Sequence, residues 1–349
     1  MPELASMPVG AYNMHIMDKV NILVGWPLYP HLMQSIQTAH PNVHLLNDPD
    51  QNIPRPEVWP PFPFPEQITN LLPQTQVLFT SRLPRNILRL APHLQWVQLF
   101  SAGADVALWE ELALSNILFT TASGIHSIPI SEWVIGAMLA LLKRFPEAIH
   151  AQDNREYWKF IGGELAGQTA GILGLGNIGR RVARICQALD MRVIGIRRSA
   201  MQPIEHQYPT DLLLPPQGLP IMLEESDFLI ICLPGTRETM GLLGEMELHQ
   251  MKPGSYLINV GRGGIVDEEA LVRALHSGHL AGAALDVFAD EPLHVDSPLW
   301  DEPRLLLTAH NAGNSLRYEE RATELFLKNL HRYLTGQKLF NIYDPEKGY

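Results

Sequence analysis

The chain has 349 residues, enough for two domains that each bury a core and too few for three at roughly 100 to 200 residues per domain. Hydrophobic residues make up 46% and charged residues 18% of it, with no apolar run longer than 133–142, which excludes both a disordered chain and a bilayer-spanning helix. Its 26 basic against 37 acidic residues leave a formal charge of −11, which argues against a broadly basic surface for nucleic acid or anionic membrane.

Residues 1–20 lack the charged start and apolar core of a secretory signal, and the last three residues are no retention or lipidation motif. Short β-branched or apolar runs then alternate with helical patterns, which predicts an α/β fold of parallel βαβ units. Strands are expected at 20–24, 77–79, 96–99 and 117–120, with the proline-crowded stretch 54–65 between the first two as a surface excursion. Beyond Pro129, residues 131–145 predict one helix, apolar on most sides and therefore buried between other elements.

A second and more regular α/β series follows from Gln168. It predicts a strand at 169–173, a helix at 178–189, and strands at 192–196, 228–232, 256–260, 283–287 and 305–308, with a last helix at 319–334. Five prolines mark 203–220 as a loop. The two cysteines, Cys186 and Cys232, are 46 residues apart with no CxxC, so neither a disulfide framework nor a thiolate zinc site is expected, and a reducing cytoplasmic location is the default. There is no HExxH, and His276 and His279 flank a glycine at a helix end, so no metal is expected.

Chemistry enters at Gly174-Leu175-Gly176-Asn177-Ile178-Gly179, which directly follows the strand ending at Leu173 and opens a helix. The glycines serve a tight turn, close backbone approach to a pyrophosphate, and helix-on-strand packing, with the phosphate charge at the N–H groups of the helix start. A dinucleotide is the reading that strand, loop and helix together favour; a flavin or another adenosine ligand would use a similar loop. The acidic residue that grips the ribose hydroxyls of NAD about 20 positions on is missing. In its place stand Arg197, Arg198 and Ser199, the first of them 18 residues past Gly179, two guanidinium groups and a hydroxyl suited to a 2′-phosphate. NADP(H) is therefore the preferred cofactor and NAD(H) the second choice.

Three later strand ends carry polar residues: Arg262 in the turn after Asn259-Val260-Gly261, Glu291 after Asp286, and His310 before Asn311-Ala312-Gly313. Ligands of open parallel sheets bind beyond the carboxyl ends of the strands, so cation, carboxylate and imidazole converge on one rim. Each alone is ordinary: a surface arginine, a helix-start glutamate, one of 14 histidines.

Together with the glycine loop, the Asn259-to-Asp267 stretch, the Asp286-to-Pro292 stretch and the strand ending at His310, these residues make the chain resemble the D-isomer-specific 2-hydroxyacid dehydrogenases over nearly its whole length. The spacings of 29 residues from Arg262 to Glu291 and 19 from Glu291 to His310 resemble that family's. The resemblance implies two Rossmann or flavodoxin-like domains: a discontinuous substrate domain, 1–125 with 316–349, and an inserted dinucleotide-binding domain, 126–315. It assigns catalysis to Arg262, Glu291 and His310, and the nicotinamide carboxamide to Asp286. Leu233, Pro234, Thr239, Val260, Gly261, Arg262, His310 and Gly313 then line the cofactor. The turn at Phe100-Ser101-Ala102-Gly103 resembles the family's carboxylate-binding loop, where the N–H groups of Ala102 and Gly103 would hold the substrate anion. His126 and Arg262 are the further substrate contacts, and Trp133, Tyr157 and Trp158 are either pocket walls or core.

The chemistry so implied is reduction of a small 2-oxo acid to a D-2-hydroxy acid. Arg262 would grip the carboxylate and ketone oxygen with its planar fork. His310 would deliver the proton, since an imidazole titrates near pH ~6.5, and Glu291 would favour its charged form. A homodimer built around the long helix is implied as well, with no nucleic-acid or membrane partner. Phosphoglycerate and formate dehydrogenases are the enzyme alternatives, although His126 stands where formate dehydrogenases resemble one another in having asparagine. The dinucleotide-binding co-repressors, which resemble the same family, are the alternative of another class.

Overall fold

The computed structural model describes residues 19–47, 66–81, 83–84, 86–102, 115–207 and 209–344; the stretch 54–65 and Gly103 lie outside them. Two compact units result, Met1–Ile125 with Leu316–Tyr349, and His126–Ser315.

In the first unit, five parallel strands lie in the order β2-β1-β3-β4-β5: β1 Val20–Val24, β2 Val43–Leu45, β3 Val77–Thr80, β4 Trp96–Leu99 and β5 Leu118–Thr120. The strands β3 and β4 are buried at every residue, as expected of a parallel sheet covered on both faces. The C-terminal helix Tyr318–Leu334 returns to this sheet. Its fully buried Phe326 stacks on Phe79 at 4.4 Å and on Trp96 at 5.2 Å, within reach of favourable aromatic pairing. Asn329 Nδ2 donates to Gln98 Oε1 at 2.9 Å, which satisfies both amides inside the core. Strand β2, three residues long, is too short to leave a periodic signal in the sequence.

The second unit holds eight strands in the order β13-β12-β11-β10-β6-β7-β9-β8. These are β6 Thr169–Leu173, β7 Arg192–Ile196, β8 Ile204–Glu205, β9 Leu212–Leu214, β10 Phe228–Ile231, β11 Tyr256–Asn259, β12 Gly282–Leu285 and β13 Leu305–Leu307. All pairs are parallel except β8 with β9. The chain starts at β6, runs outward through β7, then crosses back to β10 on the other side. That reversal makes a topological switch point beside the glycine loop.

Two expected elements are corrected. The single helix at 131–145 is instead Ser127–Leu142 followed by a separate helix Phe145–Asp153, because Arg144 takes a left-handed φ of 59°. Pro146 suits the first turn of the second helix and would have broken a continuous one. The expected loop at 203–220 contains β8, β9 and a 3-10 turn at Pro216–Gly218. Leu212–Leu214 pair with β7 because the prolines flank the apolar triplet without interrupting it. Among the described residues, no helix is long and apolar enough to cross a membrane.

Candidate active site

The glycine loop joins β6 to the helix Asn177–Ala188. Gly174 has φ 99°, and a Cβ there would meet the Cys232 carbonyl oxygen at 2.9 Å. A Cβ on Gly179 would stand 2.0 Å from the Gly174 carbonyl oxygen, whereas around Gly176 nothing lies within 4 Å. Two glycines are thus packed against backbone and the third faces open space, next to a helix start with no side-chain cap. A loop so built leaves backbone N–H groups open to an anion such as a pyrophosphate.

Arg197, Arg198 and Ser199 are exposed just past β7. The loop after β10 is held from within: Thr239 Oγ1 donates to the Pro234 carbonyl at 2.7 Å and accepts the Thr236 N–H at 2.8 Å. On that loop a hydrogen bond from Thr236 holds the Glu238 carboxyl below the usual carboxylate range, with the charges of Arg198 and Arg237 adding to it. Leu233 is half-buried and Pro234 exposed.

Beyond β11, Asn259 bridges its own turn, its Oδ1 accepting the Gly261 N–H at 3.0 Å and its Nδ2 donating to the Arg262 carbonyl at 3.0 Å. Arg262 is exposed, and its guanidinium donates to the Gly261 carbonyl at 2.7 Å. Val260 and Gly261 are buried beneath it. A Cβ at Gly263 would lie 1.8 Å from the Phe288 carbonyl carbon, so the Arg262 turn is fitted directly against the loop that carries Glu291.

Glu291 and His310 meet: Glu291 Oε2 stands 2.8 Å from His310 Nδ1, while its Oε1 accepts the Phe288 N–H at 3.1 Å. Both side chains keep one-third or more of their surface exposed, 37% and 55%, so the pair faces outward. His310 has φ 54°, a conformation sparsely used by residues other than glycine and costing about 1–3 kcal/mol. Its N–H is fixed by the Asp286 carbonyl at 2.8 Å. Arg262 makes no hydrogen bond to either of them.

Around this pair the structure gives Asp286, expected at the nicotinamide carboxamide, a structural task as well, and brings in Thr308, which the sequence did not single out. Asp286, 2% exposed, accepts the Thr308 hydroxyl at 2.5 Å and the N–H groups of Asn311 and Ala312 at 2.7 and 2.9 Å. It is thus the knot that shapes the turn around His310, a task shared with Thr308. Gly313 closes the turn against His126, whose ring carbon Cδ2 would lie 3.2 Å from a Cβ there. Ala102 is half-buried in the first unit, in a segment reached through Tyr318, whose hydroxyl donates to the Phe100 carbonyl at 2.7 Å. Trp133 packs against the core of the second unit, whereas Tyr157 and Trp158 are 93% and 55% exposed and belong to no core. Among the described residues, no group of three His, Cys, Asp or Glu side chains is placed to hold a metal ion.

The chain is similar to known proteins across this architecture. The family description "D-isomer specific 2-hydroxyacid dehydrogenase, NAD binding domain" matches residues 135–312. A glyoxylate reductase from Aeropyrum pernix is 35% identical over 304 residues, covering 83% of this chain and 90% of that one. A crystal structure of a D-isomer specific 2-hydroxyacid dehydrogenase family protein from Aeromonas salmonicida superposes with a TM-score of 0.79 at 30% identity, covering 94% and 99%. An NADPH-dependent glyoxylate/hydroxypyruvate reductase from Sinorhizobium meliloti, in complex with NADP and sulfate, gives 0.74 at 26% identity, covering 95% and 100%. With its two parallel-sheet units, its glycine loop at the switch point and these relatives, the chain belongs to the D-isomer specific 2-hydroxyacid dehydrogenase family and is an oxidoreductase of that class.

Proposed function

We propose that the protein reduces a small 2-oxo acid to the D-2-hydroxy acid, with NADPH preferred over NADH. The observation that carries this reading is the Glu291–His310 contact of 2.8 Å at the rim where β12 and β13 end. A relative named as a glyoxylate reductase and a structural neighbour in complex with NADP support this choice of substrate class and cofactor.

Gly174, Gly176 and Gly179 would cradle the pyrophosphate, with Leu175, Asn177 and Ile178 supplying the rest of the loop. Arg197, Arg198 and Ser199 would take the 2′-phosphate by charge-assisted hydrogen bonds. Leu233, Pro234, Thr239, Val260, Gly261 and Gly313 would line the remainder, with Asp286 shaping the nicotinamide end. Bound there, NADPH supplies the hydride.

The chain's own residues handle charge and proton. Arg262 grips carboxylate and ketone oxygen, polarising the carbonyl through a planar fork. The Ala102 N–H would contribute to holding the substrate carboxylate, as expected also of Gly103, which lies outside the described residues, and His126 would be a further substrate contact. His310 donates the proton to the developing alkoxide from Nε2, because Nδ1 is engaged by Glu291, which also steadies the imidazolium. The first unit is then the substrate domain and the second the dinucleotide domain.

The exposed Phe145, Ile149, Tyr157, Trp158 and Ile161 crowd seventeen residues of chain. An apolar stretch so dense is suited to cover by a second copy, which supports reading the protein as a homodimer, and its two unpaired cysteines suit the cytosol. Light scattering reads the mass directly, and a monomer at micromolar concentration would remove that part of the account.

The activity itself is tested by incubating the protein with NADPH or NADH and a panel of glyoxylate, hydroxypyruvate, pyruvate, phenylpyruvate and a branched 2-oxo acid. Chiral chromatography of the products follows. Consumption of NADPH with a D-configured product is expected; an L product, or NADH turned over more efficiently, would contradict the reading.

A further inference from the structure

We infer that Glu268 is a positioning residue for the Glu291–His310 pair, an inference that rests on the reductase reading above. Glu268 is the first residue of the helix Glu268–His276, whose N-cap is already provided by Asp267 accepting the Ala270 N–H at 3.0 Å. Its carboxylate is therefore free of capping duty at its own helix. Instead Oε1 reaches 21 residues along the chain and accepts the Ala289 N–H at 2.6 Å, a short charge-assisted bond.

That N–H belongs to the turn 288–291. The preceding N–H, of Phe288, goes to Glu291 Oε1 at 3.1 Å, and Glu291 Oε2 stands 2.8 Å from His310 Nδ1. Two consecutive N–H groups of one turn are thus taken by two carboxylates. One comes from within the turn and points at the histidine; the other anchors the turn to the helix that follows Arg262. On the same turn Gly263 lies so close to the Phe288 carbonyl that no side chain fits between them. The segment 263–268 consequently grips the turn at two points, one steric and one electrostatic, and links the loop of Arg262 to the loop of Glu291.

The location is costly for an acid. Burial pushes the half-buried Glu268 carboxyl up, the Ala289 N–H pulls it down, and the charges of Asp290, Asp267 and Glu291 push it up again. Among those three carboxylates Glu268 still makes the bond to the Ala289 N–H, and this bond fixes the backbone from which Glu291 projects. A displacement of about 1 Å at such a point costs on the order of a hundredfold in rate.

The test compares Glu268→Ala, which removes the acceptor, with Glu268→Gln, which keeps an acceptor and removes the charge. Three readouts are taken on the full-length protein: kcat and KM with the 2-oxo acid the wild type reduces, amide hydrogen exchange over 288–291, and the Nδ1 15N signal of His310, identified by its loss in His310→Gln. For Glu268→Ala we expect kcat to fall roughly tenfold to a hundredfold, with the NADPH Kd within twofold, faster exchange at Ala289 and a displaced His310 signal. Glu268→Gln is expected to recover most of all three. Unchanged exchange in Glu268→Ala, or equal effects of Ala and Gln, would overturn the inference. If the wild type turns over no 2-oxo acid, the reductase reading fails by itself, and the exchange and 15N readouts still decide whether Glu268 holds the pair.

Discussion

Asp286 and Thr308 join the ends of two neighbouring strands through a 2.5 Å hydrogen bond, and the same carboxylate takes the N–H groups of Asn311 and Ala312. His310 is the one residue between them that is forced into a left-handed backbone. Its imidazole projects from that turn to Glu291. The imidazole is thereby presented by a rigid frame, which is what proton transfer at a fixed point requires.

Replacing Asp286 by Asn leaves shape intact but turns an acceptor into a donor facing backbone N–H groups. With the side chain 2% exposed, about 1–3 kcal/mol of stability should be lost. Chemical denaturation measures it, and kcat should fall in parallel as the His310 turn relaxes. A variant as stable and as active as the wild type would show that the frame is dispensable.

A methyl group at position 263 has no room, since a Cβ would sit 1.8 Å from the Phe288 carbonyl carbon. Gly263→Ala should separate the Arg262 and Glu291 loops and lower kcat/KM for the 2-oxo acid by about a hundredfold. Nucleotide affinity, which depends on the glycine loop after β6, should change far less. Isothermal titration with NADPH beside steady-state kinetics distinguishes the two.

Glu291→Gln keeps the size of the side chain and removes its charge, so His310 loses the partner that stabilises the imidazolium. We expect kcat to fall by roughly 10²-fold, with the NADPH Kd unchanged, because the imidazole loses the charged acceptor that holds its Nδ1. A kcat equal to that of the wild type would remove Glu291 from the proton path.

Arg198→Ala should weaken NADPH binding by about tenfold, equivalent to ~1.4 kcal/mol for one charge-assisted contact, and leave NADH binding nearly as it was. Fluorescence titration with both nucleotides measures the difference. Equal losses would mean that Arg198 serves the fold or the pyrophosphate instead of the 2′-phosphate.

Glu268 also carries a pH signature. Its carboxyl is pushed up in the folded protein, mainly by burial, so the native state holds that proton more tightly than the unfolded chain does. Stability then falls as pH rises from the unfolded carboxylate range through the raised native value. Below that window the group costs nothing, above it the cost is complete, and Glu268→Gln should remove this part of the slope. Denaturation midpoints from pH 3 to 7 test it, and identical slopes in both proteins would count against the shift.

Much of this was legible in the sequence where the determinants are local. The glycine loop, the strands at 20–24, 96–99, 169–173 and 192–196 and the polar strand ends each announce themselves within about ten residues. What the sequence concealed depends on pairs far apart in the chain: Asp286 with Asn311, 25 residues on, and Glu268 with Ala289, 21 residues on. Neither leaves a periodic trace. The break at Arg144 was hidden because Phe145, three and four residues past Leu142 and Leu141, keeps the helical apolar spacing, although Pro146 was a usable signal of a new helix start. For Tyr157 and Trp158, expected as pocket walls or core, exposure removes the core alternative, which had rested on aromatics being ordinarily buried.

The most direct test of the account is a single-turnover measurement in which wild type and His310→Gln, each premixed with NADPH, are rapidly mixed with glyoxylate or hydroxypyruvate. Absorbance of the reduced nicotinamide is followed. The account predicts rapid loss of absorbance in the wild type and a rate at least about a hundredfold lower in His310→Gln, with the same NADPH Kd in both. Equal rates in the two proteins, or no loss of absorbance in the wild type with bound NADPH, would contradict it.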